Sequence, residues 1–210
     1  MNRNPDSTTA QARRPRADGE RSRETILRAA ASLATVEGLD GLSIGHLADH
    51  IGMSKSGLYA HFGSKEELQL ATIDTALEIF TADVIEPIEV IADPLERLEA
   101  LCDRFLSHLE RRVFPGGCFF ASVAAEFDTH PGPVKDKIAL VRQQWTSNLE
   151  RLIEEAQTSG QLNPDDDPAQ LAFEIDAYLL MGNTAFVLHN DTAHLRQARA
   201  AITNRLSRAA

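Results

Sequence analysis

The chain has 210 residues, 43% hydrophobic and 25% charged, enough to fill one large domain or a small one joined to a larger. Its net charge of −10 argues at first against a nucleic-acid partner, but the charge is unevenly placed. Residues 1–65 hold nine Lys and Arg against seven Asp and Glu (+2), and the remainder twelve against twenty-four (−12), an anionic body with a mildly basic end suited to meeting phosphate at one place. No uninterrupted apolar run approaches the roughly 18 residues that span a bilayer. The N-terminus lacks the apolar core of a signal peptide. Cys102 and Cys118 make no disulfide framework, so a reducing cytoplasm is the expected setting.

Residues 1–19 are poor in apolar side chains and predict a disordered basic tail, whose Arg13, Arg14 and Arg16 are either solubilising or able to reach phosphate. From Arg21 to Glu37, Ile26, Leu27, Ala30, Leu33 and Ala34 recur at helical spacing, and Gly38 supplies a stop. Ser43 is a cap for the next helix, Ile44 to Ile51, which turns its apolar residues inward and ends at Gly52. The turn Gly52, Met53, Ser54 and a helix of barely two turns complete a helix-turn-helix. Ser64 and Glu67 then predict a capping box, in which the carboxylate returns to the cap's own N–H.

The stretch from Leu39 to Leu68 resembles the DNA-binding head of the tetracycline-repressor (TetR) family of bacterial transcription regulators. The residues that carry the resemblance are Leu47 and Ala48, Gly52 to Ser54, Gly57 to Tyr59, His61 and Phe62, and Ser64 to Leu68. Leu58 and Phe62, four apart, pack the short helix on its neighbours and leave Lys55, Ser56, Tyr59 and His61 toward a groove. Lys55 and Ser56 lie at the end where a recognition helix meets base edges. Tyr59 and His61 suit phosphate oxygens, as do Lys65 and Ser43 in the first turns of their helices. Ala60 stands where relatives often carry a longer polar side chain.

Beyond Lys65 a long helix is expected to run to about Ile85, where Pro87 ends it. Asp93, Pro94 and Glu96 signal the next start, with Glu96 reaching back to the cap, and Leu98, Leu101, Cys102, Phe105, Leu106 and Leu109 share one face of that helix. A short apolar segment spans Phe119 to Phe127, a long helix runs from Pro133 to about Ser159, and two more cover Asp167 to His189 and Thr192 onward. No stretch alternates with period two, so the fold class is all-α: a helix-turn-helix domain over residues 20–66 and a helical ligand-binding and dimerisation domain over 67–210.

The resemblance implies a homodimer paired through the last two helices, Asp167 to His189 and Thr192 to Arg208. Gly182 and Ala185, beside Leu171, Ile175, Leu179 and Phe186, would allow close helix approach there. It also implies a palindromic double-stranded operator, and release by a small effector held in the body. Leu101, Phe105, Phe119, Phe120, Trp145, Leu149 and Tyr178 are the candidate lining, which suits an apolar or aromatic molecule. No cofactor and no membrane association is expected, nor an enzymatic role. The competing readings are a thiol sensor or Cys/His enzyme using Cys118 and His130, and a helical interaction module. His46 and His50, four apart on one helix, lack a third metal ligand.

Overall fold

The computed structural model describes residues 9–209, and side chains over residues 19–207. Among them are nine α-helices and no strand, so the all-α expectation holds. Helix α1 (Thr9–Glu37) buries Ile26, Leu27, Ala30, Leu33 and Ala34 and stops at Gly38, whose φ of +86° suits a residue without a Cβ. Helices α2 (Ile44–Ile51) and α3 (Lys55–His61) have the boundaries expected of them, each opened by a serine. Ser43 Oγ accepts the His46 N–H and Ser54 Oγ the Gly57 N–H, both at 3.1 Å. These three helices close over a core that includes Leu39, Leu42, Leu47, Leu58 and Phe62.

The start of α1 departs from expectation. The tail foreseen over 1–19 falls partly outside the described residues (1–8), and over 9–19 the backbone is helical. Ala10, Ala12, Arg13, Arg14, Arg16 and Ala17 are good helix formers. Extending a helix already anchored at Ile26 also needs no new nucleus.

Helix α4 (Lys65–Phe80) packs on α1, but it does not run smoothly to Ile85. It passes into a π-helical turn at Thr81–Ile85 and a 3-10 turn at Glu86–Ile88, where Pro87 cannot continue an α-helical ladder. The capping box is displaced by one residue: Ser64 Oγ accepts the Glu67 N–H at 3.1 Å, while the Glu67 carboxylate takes the Gly63 N–H at 2.9 Å instead of the cap's own.

The body is built from α5 (Pro94–Glu110), α7 (Pro133–Thr158), α8 (Pro168–His189) and α9 (Ala193–Ala209), with α6 (Phe119–Phe127) wedged between α1 and α7. Asp93 caps α5 through the Glu96 N–H at 2.8 Å. The reach-back expected of Glu96 to the Asp93 N–H is not made among the described residues. Gln161 steadies the start instead, its amide N–H donating to the second Asp93 oxygen at 2.6 Å and its amide carbonyl accepting the Leu95 N–H at 3.4 Å. Helix α8 is long and apolar enough by length and composition to cross a membrane, although no apolar run had been foreseen there. Its Leu171, Ile175, Leu179 and Phe186 are buried in the body, as those of a core helix are.

One polar pair lies deep in the body. His108 on α5 is 1% exposed; its Nδ1 donates to Asp83 Oδ2 at 2.7 Å, and its Nε2 has no partner among the described residues. Arg111 grips both oxygens of the same carboxylate at 2.7 and 2.6 Å. Asp83 belongs to the π-helical turn, so the pair fastens that turn to α5. Burial holds His108 below the ordinary imidazole value and outweighs the pull of Asp83 in the other direction. The unfolded chain therefore takes up this proton first. The stability that neutral His108 contributes is complete above its unfolded value of 6.5 and is lost as pH falls through that value toward the lower folded one. Urea midpoints measured at about pH 7.5 and about pH 5.5 are expected to differ more for the natural chain than for His108→Phe. Equal differences would mean that the slope has another source.

Candidate functional site

Helix α3 has two unlike faces. Leu58 and Phe62 are fully buried, with the Arg23 guanidinium 5.0 Å above the Phe62 ring. On the opposite side Lys55, Ser56, Tyr59 and Ala60 are exposed, and Tyr59 at 58% is far more open than a packing tyrosine would be. His61 is half-buried, its ring tilted against Phe62. Ser43 is exposed at the N-terminus of α2, so of the six residues expected at a groove Ser43, Lys55, Ser56, Tyr59 and Lys65 are exposed and His61 is half-buried. Lys55 lies back across Gly45 of α2, with Nζ 3.9 Å from Asp49, a distance that leaves it able to swing outward.

Lys65 is different. Its ammonium donates to Asp40 Oδ1 at 2.8 Å and also to the Asp40 carbonyl, so it is engaged within the domain. The Lys65 hydrogen bond and charge hold the Asp40 carboxyl below its usual range. The same loop is gripped twice more. Gln69, buried on α4, donates to the Leu39 carbonyl at 2.9 Å. Glu126, from α6 of the body, accepts the N–H groups of Leu39 and Asp40, each at 2.7 Å. A Cβ on Gly38 would lie 2.7 Å from the Glu126 carboxylate, so glycine serves here both for its positive φ and for that close approach.

The other end of α6 reaches a cavity of about 190 Å³ in the body. Phe80 is its centre, with ring centroids 6.1 Å from Phe105, 6.2 Å from Phe120 and 5.6 Å from Trp145, all edge to face. Phe105, Phe120 and Trp145 of the expected lining are thus brought together. Leu101, Phe119 and Leu149 are not; they are sealed in the core, because a helical period identifies the inward face but not how deep each position sits. Tyr178 lies elsewhere, in a shallow groove between α8 and α9. Phe80, Thr81 and Arg142 line the cavity unforeseen. Phe80 had read only as part of the linking helix, and the π-helical turn that aims Thr81 inward leaves no pattern in the sequence.

Arg142 donates to Asp176 Oδ2 at 2.6 Å, and the Trp145 indole N–H donates to Asp176 Oδ1 at 2.8 Å. Cys118 also touches the cavity, buried at the N-cap of α6 with its thiol pushed up by burial, which disfavours the reactive thiolate. His130 lies past the other end of α6 and bonds the Glu126 carbonyl at 2.9 Å. Nine residues of helix separate the two by about 14 Å, so no Cys/His pair forms. His46 faces Glu37 at 3.1 Å.

The apolar residues picked out on α8 by their sequence pattern are internal, and Gly182 serves packing within the chain. A Cβ there would stand 2.8 Å from Ala198 Cβ on α9. The open stripe of α8 is instead Phe173, Met181 and Leu188, at 69%, 66% and 74% exposure.

Residues 26–72 match the family model described as bacterial regulatory proteins, tetR family, and residues 94–202 match the tetracyclin repressor-like C-terminal domain. The chain is 24% identical over 163 residues to the transcriptional regulator AcuR of Cereibacter sphaeroides, covering 76% of this chain and 74% of that protein. A TetR transcriptional regulator from Chloroflexus aurantiacus superposes with a TM-score of 0.84 at 26% identity, over 91% of this chain and 96% of that one. AibR, solved in complex with isovaleryl coenzyme A and operator DNA, superposes with a TM-score of 0.64 at 26% identity, over 79% and 85%.

Removing the Glu126 carboxylate leaves the half-buried Leu39 N–H without its acceptor. Glu126→Ala is expected to lower unfolding free energy by about 2 kcal/mol, and Glu126→Gln, which keeps one acceptor oxygen, by less. Urea titration of both proteins measures this, and equal stability of Glu126→Ala and the natural chain would contradict it.

Proposed function

The chain belongs to the tetracycline-repressor family of bacterial regulatory proteins and is a DNA-binding transcription regulator; from that premise we propose that it is a cytoplasmic, homodimeric repressor released from a palindromic operator by a small apolar or aromatic effector. Residues 20–66 serve as the DNA-binding domain and 67–210 as the effector-binding and dimerisation domain, with α4 carrying the chain from one to the other. The observation that carries the reading is the two-faced α3, which buries Leu58 and Phe62 and leaves Lys55, Ser56 and Tyr59 open, in a chain whose residues 1–65 carry +2 while the remainder carries −12.

Lys55 and Ser56, at the N-terminal end of α3, are the base-reading positions. Ser43, Tyr59 and His61 take phosphate oxygens. Lys65 joins them either by turning from Asp40 to phosphate or by holding the α1–α2 loop so that the others reach it. A helix this short reads too few bases alone, and a second copy supplies the other half-site roughly 34 Å away. The exposed stripe of α8, together with α9, is the surface through which the copies pair. The pairing uses the two helices that the resemblance implies, with the exposed Phe173, Met181 and Leu188 as contacts in place of the buried Leu171, Ile175, Leu179 and Phe186. The aromatic cavity is the effector site, supported by the ligand and operator named for the similar AibR. Effector binding favours a body shape in which the two DNA-binding domains no longer fit successive major grooves.

Operator fragments selected from genomic DNA allow the test by fluorescence anisotropy at two salt concentrations. Tyr59→Ala is expected to weaken binding about tenfold on specific and unrelated duplexes alike, whereas changes at Lys55 or Ser56 alter the preferred sequence too. Unchanged affinity in Tyr59→Ala would remove this face from the interface. Changing Met181 and Leu188 together to Asp is expected to give a folded monomer by analytical ultracentrifugation, with operator affinity lost; a persisting dimer would exclude the α8 stripe.

A further inference from the structure

We propose that the effector is a small carboxylic acid, its carboxylate docked on Arg142 and its apolar part enclosed by Phe80, Phe105, Phe120 and Trp145. The proposal rests on the cavity being the effector site, and adds the chemical class it takes. The first ground is the kind of side chains that meet there. The polar lining consists of Thr81, Cys118, Arg142, Gln144 and Asn148, with no Asp or Glu among the lining residues. Arg142 is the single charged member of an otherwise aromatic and aliphatic wall.

The second ground is how Arg142 is held. One nitrogen of the guanidinium donates to Asp176, which is itself fixed by the Trp145 N–H and lies behind the lining. That is the one hydrogen bond the Arg142 guanidinium donates to the described residues, and a guanidinium carries five N–H groups. Asp176 therefore anchors the far side of a planar fork whose remaining donors are available at the cavity wall. A neutral hydrocarbon filling the space would take water from those donors and return no acceptor. A cation would face the positive end of the Arg142–Asp176 pair. A carboxylate matches the fork with two parallel hydrogen bonds, and such charge-assisted bonds are stronger than neutral ones.

The third ground is size. At about 190 Å³ the cavity is smaller than the roughly 300–1,000 Å³ of sites for drug-sized ligands, which limits the apolar part to a short chain or a single ring. Trp145, held by its N–H on Asp176, presents a fixed ring face to that part. Arg142 thus acts as the specificity-determining residue and Asp176 as the positioning residue behind it.

Isothermal titration of the protein with isovalerate, hexanoate, phenylacetate and benzoate, each against its primary amide, tests the assignment. At least one acid is expected to bind about tenfold or more tighter than its amide. The double variant Arg142→Gln with Asp176→Asn, which leaves no buried charge unpaired, is expected to keep its thermal midpoint and to bind acid and amide alike. Acids and amides of equal affinity in the natural chain would overturn the acid class, as would binding by none of the eight compounds. A Val141→Trp protein, with the cavity filled, separates the two levels. Equal acid and amide binding that vanishes in Val141→Trp leaves the effector site standing and the acid class lost. Acid binding that survives in Val141→Trp moves the effector out of this cavity altogether.

Discussion

One carboxylate joins the two halves of the molecule. Glu126 accepts two consecutive backbone N–H groups, those of Leu39 and Asp40, at the loop where α1 gives way to α2. Backbone donors cannot rotate away as side chains can, so the bond fixes the position of the loop as well as its energy. Lys65 and Gln69 hold the same loop from α4, and Gly38 admits the carboxylate because it has no Cβ. The short α3, too brief to be stable alone, inherits its orientation from this arrangement through the core around Leu47 and Leu58. Helix α6 is rigid over its nine residues, with Glu126 near one end and the cavity-lining Cys118 and Phe120 at the other. Helix α6 thus links the lining residue Phe120 to the loop that Glu126 holds.

What could be read from the sequence was what is local. Serines at 43, 54 and 64 cap the helices that follow them, and Gly38, Gly52 and Gly160 stop the ones before, because caps and left-handed turns need particular residues within a few positions. The open face of α3 was legible for the same reason, since Leu58 and Phe62 define the buried side by spacing alone. What could not be read depends on partners far apart in the chain. Glu126 lies 86 and 87 residues from the N–H groups it accepts, and nothing near it marks it as more than a surface glutamate. Lys65 read only as a cation in a first turn suited to phosphate, and nothing local marks Asp40 as its partner, 25 residues away. Tyr178 was misplaced because α8 has apolar side chains on nearly all sides, so its pattern could not say which face looks into the body and which looks out.

That ambiguity of α8 follows from its place in the fold. Buried Leu171, Ile175, Leu179 and Phe186 fill the body, while Phe173, Met181 and Leu188 remain open on the other side. An apolar stripe of this length on an otherwise acidic body is the surface a second copy would cover. The charge distribution is consistent with the same arrangement: twenty-four acidic side chains beyond residue 65 discourage approach of DNA to the body and leave the mildly basic end as the approachable one.

Helix α8 supports the cavity wall from behind. Asp176 stands on the inner side of α8, three residues from the exposed Phe173, and receives both Arg142 and the Trp145 indole. Asn183, two residues beyond the exposed Met181, takes the Cys118 N–H at 2.9 Å where α6 begins. Gly117 makes that approach possible, since a Cβ there would lie 2.4 Å from the Asn183 oxygen. The cavity is thus walled by residues tied directly to the helix that carries the exposed apolar stripe and, through α6, to the loop that joins α1 to α2. In the proposed dimer, a molecule that repositions Arg142 or Phe120 would act on both supports at once, and the separation of the two DNA-binding domains would depend on both.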